Sequence, residues 1–304
     1  MKFLSWRNTN FLIKLSLLKE YLLILSGSPR GGASTWSSLD KYVIKHLDAD
    51  LAVCTGDKLV QNNSLFDKAN YKWIFPEYED YFDYYRDHFE GTWEKYFNTG
   101  RETGLYTSGS IHFAFKDRVL KNYLDVITAY KYIIYTRFDQ RYTDYHPKGE
   151  EDNILIPEGE DYFGLCDRHA VVPSKYIKKF LSICEFIDTE RNLNATGEFN
   201  NCETTFKNHL ISNDLIKEIK RYERSQFTTS LKGEHTNWRV PKYPLFLFNK
   251  LMLKYPDEFL DSTSNLIRKK GLFYSFKNEF RLVLNYYYLI LRGKLGNFKR
   301  NATT

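Results

Sequence analysis

The chain has 304 residues, of which 42% are hydrophobic, 17% aromatic and 27% charged, enough apolar side chain to close one large core or two modest ones. With 24 Tyr and 23 Phe against 16 Gly and 8 Pro, the composition excludes collagen-like, low-complexity and disordered chains. The net charge of +6 is unevenly spread: from residue 264 onward nine Lys/Arg stand against the single acid Glu279, a balance of +8 that leaves −2 for everything before.

Residues 11–26 are largely apolar, but Lys14, Lys19 and Glu20 interrupt them and no small-residue cleavage site follows, so the expectation is a short N-terminal helix over residues 1–20 and then a strand, not a signal anchor. Cys54, Cys166, Cys184 and Cys202 are widely spaced with no C-x-x-C pair, which indicates neither a zinc ribbon nor a disulfide scaffold. A reducing, cytoplasmic location is expected.

Residues 21–26 (Tyr-Leu-Leu-Ile-Leu-Ser) form a continuous apolar run that stops at Gly27-Ser28-Pro29-Arg30-Gly31-Gly32, the pattern of a buried parallel strand entering a tight loop. A helix capped by Ser34 or Thr35 is predicted next, with Trp36, Leu39, Tyr42, Val43 and Leu47 at helical spacing, before a second buried strand at 50–54. This β-α-β unit predicts a parallel sheet with ligands gathering beyond the carboxyl ends of its strands. Residues 75–90 hold six acids and seven aromatics and read as a helical insertion with one packed and one solvated face, to which we assign no chemistry. A longer amphipathic helix over 112–130 leads into a strand at 132–136. Further strands are expected at 153–157 and 162–166, an apolar stretch at 170–173, and helices from Ser174 and over 201–212. The last hundred residues carry no independent domain pattern. The fold class is therefore α/β, a mostly parallel sheet flanked by helices, with a C-terminal helical extension.

Three polar breaks could carry chemistry. The glycine-rich loop matches neither G-x-x-x-x-G-K-[ST] nor G-x-G-x-x-G, which disfavours P-loop ATPases and dinucleotide dehydrogenases. Open backbone amides and the Arg30 guanidinium would still suit a diphosphate. Arg137 and Asp139, two residues apart at a strand end, would point to one side and bring a cation and a carboxylate to the sheet edge together. Mg²⁺ or Mn²⁺ can be held by so sparse a carboxylate site when substrate phosphates complete it. Asp167, in Asp167-Arg168-His169, is a candidate sugar or acceptor contact, and Glu203, in the first turn of a helix, a candidate general base.

The ordered series Ser26-Gly27-Ser28-Pro29-Arg30, Asp48-Ala49-Asp50, Arg137-Phe138-Asp139, Gly164-Leu165-Cys166-Asp167-Arg168 and Glu203-x-x-Phe206-x-x-His209-Leu210 resembles GT-A-type glycosyltransferases of the WavE lipopolysaccharide-synthesis kind and similar enzymes of large algal viruses. The likeness covers about residues 20–212. The chain therefore reads as an N-terminal helix (1–20), a GT-A-like catalytic domain (21–230) and a basic aromatic extension (231–304) packed on the domain, a tail that the likeness itself leaves unexplained. The likeness implies transfer of a sugar from a UDP- or GDP-linked donor to an oligosaccharide or glycan acceptor, with inversion and assisted by Mn²⁺ or Mg²⁺. By that resemblance Gly27, Arg30 and Arg137 would meet the donor diphosphate and Asp139 would hold the metal. Arg141 stands where the family's second Asp is usual and would instead neutralise the leaving diphosphate. Glu203 would be the base, and Asp167 a sugar contact. The alternatives are a non-catalytic carbohydrate- or membrane-associated protein that keeps the fold, peripheral membrane contact through the tail, and, ranked below these, nucleic-acid binding through the same basic tail.

Overall fold

The computed structural model describes residues 19–94, 107–189, 201–236, 242–248 and 250–301. Strand β1 (Tyr21–Ser26) leads through the glycine loop to helix α1 (Gly32–Leu39), which runs on through a π turn (Asp40–Ile44) and a last turn (Lys45–Leu47) into β2 (Asp50–Gly56). There follow α2 (Ser64–Lys68), β3 (Tyr71–Phe75), α3 (Tyr81–His88), α4 (Thr107–Thr128), β4 (Tyr132–Arg137), β5 (Gln140–Tyr142), β6 (Ile154–Pro157) and β7 (His169–Pro173). The rest comprises α5 (Ser174–Leu181), α6 (Ile183–Ile187), α7 (Cys202–Ser212), β8 (Ile219–Tyr222), β9 (Gln226–Leu231), β10 (Tyr243–Pro244), β11 (Leu251–Leu253), α8 (Pro256–Lys270) and α9 (Leu272–Asn301).

A seven-stranded sheet in the order β3-β2-β1-β4-β7-β6-β8 is the frame, and β7 alone runs antiparallel to its neighbours. Every residue of β1, β2 and β7 is buried, because helices cover both faces and a strand so placed needs no polar side. The two-residue period sorts β1: Leu22 and Ile24 join Phe113 and Val119 of α4, Phe180 of α5 and Phe206 of α7. Leu23 and Leu25 join Leu39, Tyr42 and Val43 on the opposite face. Each such side chain removed from water contributes about 1.5–3 kcal/mol. The chain is thus a mixed α/β protein with a mostly parallel sheet flanked by helices, compatible with a Rossmann-like fold.

A second, antiparallel sheet, β10-β11-β9-β5, draws strands from both sides of residue 231. Phe227 and Leu251 of that sheet pack with Phe259 of α8 and Leu282 of α9, so the C-terminal helical part shares its core with the strand pair next to the main sheet. None of the described helices is long and apolar enough to cross a membrane.

Several expectations differ locally. The strand predicted at 162–166 is an irregular loop: Tyr162 and Phe163 adopt φ of +40° and +69°, the Asp161 carboxylate accepts from the Cys166 N–H at 2.9 Å, and the Leu165 N–H donates to the Glu203 carbonyl at 3.1 Å. Contacts to a side chain and to a helix start replace a ladder. Helix α1 starts earlier than predicted, with Gly31 as its N-cap, and Thr35 lies inside it, bonded to Thr229 at 2.9 Å. Strand β3 pairs with β2 although only Trp73 of its five residues is buried, which is why no apolar run marked it. In α3 the aromatics Tyr81, Phe82, Tyr84 and Tyr85 are buried as the helical reading expected. The helix expected over 1–20 lies almost wholly outside the described residues.

Candidate functional site

From β1 the chain turns to β2 on one side of the sheet, while β4 lies on the other. A crevice opens beyond the carboxyl ends where the strand order reverses in this way. The registers align the last residues of the two strands, Ser26 opposite Arg137. A cavity of about 280 Å³ sits there, lined by Gly27, Ser28 and Arg30 of the glycine loop, Arg137 of β4, His112 of α4 and Lys254 after β11, with Glu77 also in its wall.

The loop geometry has definite causes. Gly27 and Gly32 have φ of +99° and +65°, which glycine alone adopts without cost, and a Cβ on Gly32 would meet Leu231 Cδ1 at 2.8 Å. The amides expected to stand open are largely engaged. Gly27 N–H donates to the Cys54 carbonyl at 3.0 Å and Arg30 N–H to the Ser28 carbonyl at 2.9 Å, while Gly31 N–H donates to the Glu234 carboxylate at 3.1 Å. An anion here would be met by side chains. Arg30 offers one: its Nε is buried without a hydrogen bond, and burial lowers its pKa against the pull of Asp139.

Arg137 binds Asp139 bidentately through one guanidinium edge, Nε to Oδ1 at 3.0 Å and Nη2 to Oδ2. The expected juxtaposition at the strand end is present, but the two groups face each other, and Asp139 is 1% exposed. Burial would raise its pKa, yet Arg137 and Arg30 outweigh that and hold the carboxylate below its ordinary range. Arg141 does not join them. On β5 its guanidinium donates to the Ser34 carbonyl and hydroxyl and lies 4.8 Å from the Phe248 ring centre, outside the cavity wall, because the turn at Phe138-Asp139 carries the next strand into the second sheet.

Asp167 and Glu203 do not line this cavity; Asp167 is buried and Glu203 is partly exposed. His112 Nε2 lies 2.8 Å from the Asp167 carbonyl and 4.0 Å from its carboxylate. Burial and the nearby Lys116 lower the His112 pKa to about 4, so at neutral pH the ring is uncharged and its Nε2–H donates to the carbonyl. Lys116 is fully buried with no hydrogen bond to its Nζ, in a cage of Phe206, Phe180 and Tyr135 rings at 4.3, 5.1 and 5.5 Å. Burial lowers its pKa to about 8, against the pull of Asp167. Glu203, at the start of α7, is raised to about 7 by burial and by Asp167, against Arg168 and Lys254. It therefore exchanges its proton near neutrality, as a general base must.

Lys254 was not legible in the sequence. It follows β11, in a segment without a pattern of its own, and burial together with Arg137 and Arg168 lowers its pKa to about 7. The adjoining support is ionic: the Glu258 carboxylate of α8 accepts from Arg168 at 3.1 Å, Arg224 at 3.2 Å and the Thr228 N–H at 2.6 Å. Glu77 and His112 were likewise missed. The first lies in the stretch to which we assigned no chemistry, and the second opens the expected helix like any surface residue.

A divalent cation fits poorly. Both Asp139 oxygens are taken by Arg137, the position of a second motif carboxylate is Arg141, and Arg30 and Lys254 add positive charge nearby. Among the described residues no group of three or more His, Cys, Asp or Glu could hold a metal ion. No step is derived through one. The chain matches no protein-family model, and no curated protein is significantly similar to it.

Proposed function

We propose that the chain is a glycosyltransferase that moves a sugar from a nucleoside diphosphate sugar, UDP- or GDP-linked, to a glycan hydroxyl with inversion at the anomeric carbon. The observation that carries this reading is the triad of cations Arg30, Arg137 and Lys254 on a cavity at the carboxyl ends of β1 and β4. Charged donors concentrated there suit the diphosphate both in the ground state and, more strongly, as its charge develops on departure.

In the reaction the acceptor oxygen attacks the anomeric carbon and the bond from that carbon to the diphosphate oxygen breaks, its electron pair leaving with the diphosphate. Arg30, Arg137 and Lys254 stabilise that charge. The acceptor proton passes to the Glu203 carboxylate, which is ionised above about pH 7. Asp139 keeps the Arg137 guanidinium oriented, and Asp167 fixes His112 in the wall. The mixed, mostly parallel sheet is of the kind that the GT-A resemblance implies. Four free cysteines, three of them buried, suit a reducing cytoplasmic compartment.

The test is a binding and hydrolysis screen of UDP- and GDP-sugars with Mn²⁺, Mg²⁺ or EDTA. Turnover of one donor that Glu203→Gln abolishes supports the reading. Donor binding without turnover under every condition would make the chain a non-catalytic carbohydrate-associated protein, and failure to bind any donor would remove the nucleotide-sugar reading altogether.

A further inference from the structure

We propose that the outer face of α9, with the loop after β10, docks onto the surface of an anionic phospholipid bilayer. This rests on a different part of the molecule from the cavity and stands whether or not the chain transfers sugars.

The residues Phe280, Leu284, Tyr287 and Leu291 follow one another at intervals of three or four, the spacing of one apolar helix stripe; Phe273 and Phe276 precede a break in the helix at Glu279 (φ −134°), across which the Phe276 and Phe280 rings meet at 4.8 Å. Such a stripe normally seeks a core. Here all six are exposed, from 41% at Leu284 to 85% at Phe273, while Leu282 and Val283 are the buried apolar residues and Leu282 joins the third core cluster. The loop beside the helix extends the patch. Phe246 and Leu247 are exposed, and the Asn285 side chain pins them by accepting from the Phe246 N–H at 2.7 Å and donating to its carbonyl at 2.9 Å. The Phe246 and Tyr288 rings meet at 4.5 Å. Contiguous exposed aromatics held this firmly mark an interaction surface.

Charge selects the occupant. Lys277, Arg281 and Arg292 are exposed on α9, whereas Lys269 and Lys270 at the end of α8 pair with Glu223 at 3.2 Å and Asp144 at 3.8 Å; the only acid after residue 264, Glu279, turns inward to accept from the Tyr42 hydroxyl and from Lys41 at 3.4 Å. A second copy of the chain would bring the same positive field to the contact. Anionic lipid headgroups complement it, and Phe and Tyr settle at the boundary between headgroup and acyl chain. The helix does not cross the bilayer; it would lie on it.

Flotation of the full chain with vesicles of equal parts phosphatidylcholine and phosphatidylglycerol tests this, with pure phosphatidylcholine as the comparison. The expected result is flotation on the anionic vesicles only, weakened by high salt. Phe273→Gln/Phe280→Gln/Leu291→Gln should reduce it by at least about tenfold, and Lys277→Gln/Arg281→Gln by about fivefold per cation removed. All five positions are exposed, so both variants should keep the wild-type melting temperature. Absence of wild-type flotation, or equal flotation of the triple variant, overturns the proposal. So does a concentration-dependent dimer, or binding to an oligonucleotide, that the variants lose while no flotation is seen.

Discussion

Arg137 and Asp139, two residues apart on either side of the Phe138 turn, hold one another through a bidentate guanidinium edge with the carboxylate sealed from water. One consequence concerns stability. Removing Arg137 leaves a buried carboxylate facing only Arg30 and Lys254 at longer range, so Arg137→Ala should destabilise the fold by about 3–5 kcal/mol. Arg137→Lys keeps the charge but not the fork and should retain part of the stability while weakening donor binding. Denaturant unfolding beside donor titration separates the two effects.

A second consequence concerns metals. With Asp139 occupied by Arg137, donor binding should be the same within about twofold in EDTA and in Mn²⁺, and Asp139→Asn should lower affinity by loosening Arg137 without creating a metal requirement. Strict Mn²⁺ dependence that disappears in Asp139→Asn would return the carboxylate to the metal role that the motif order implied.

Glu203 has opposite signatures in rate and in stability. Its raised pKa means that the base form appears as pH rises through about 7, so kcat should climb over that interval. Glu203→Gln should lower kcat by about a hundred- to ten-thousandfold with donor affinity kept. A folded-state pKa above the unfolded one favours the fold below about 4.5, and that advantage is lost as pH rises to about 7. Melting temperatures from pH 5 to 8 should therefore fall more for the wild type than for Glu203→Gln.

Lys254 should make donor binding depend on pH in the other direction. Its pKa of about 7 leaves the free site partly neutral above that value, and a bound diphosphate would restore the proton. Affinity should fall as pH rises through 7, with proton uptake measurable by calorimetry in buffers of different ionisation heat. Lys254→Met should weaken binding and flatten that dependence.

Glu258 gives a test on structure alone. It is fully buried between Arg168 and Arg224. Burial would raise its pKa, but the two guanidinium groups hold it below 4.5. Its stabilising share is present above about 4.5 and is lost as pH falls below that value. Glu258→Ala strands two buried cations and should cost about 3–5 kcal/mol; Glu258→Gln should flatten the acid limb of the stability profile.

The sequence by itself determined the frame. Unbroken apolar runs such as 21–26 and 132–136 require burial on both faces, and the glycine loop after the first of them placed a crevice at the strand ends, so Gly27, Arg30 and Arg137 could be named from local pattern. Tertiary structure decided the rest, because the remaining members reach the cavity from distant parts of the chain. Lys254 arrives just after a short strand of the second sheet, and His112 on a helix whose other faces are core. The turn that aims Arg137 at Asp139 also sends Arg141 towards Ser34, which a two-residue period read along one extended strand does not foresee. The protonation behaviour of Glu203 and Lys254 was likewise beyond the sequence, since it arises from burial and from charges tens to hundreds of residues away. The tail shows the division most simply: its spacing and charge were visible as letters, but only the packed helix reveals that the aromatic stripe faces outward.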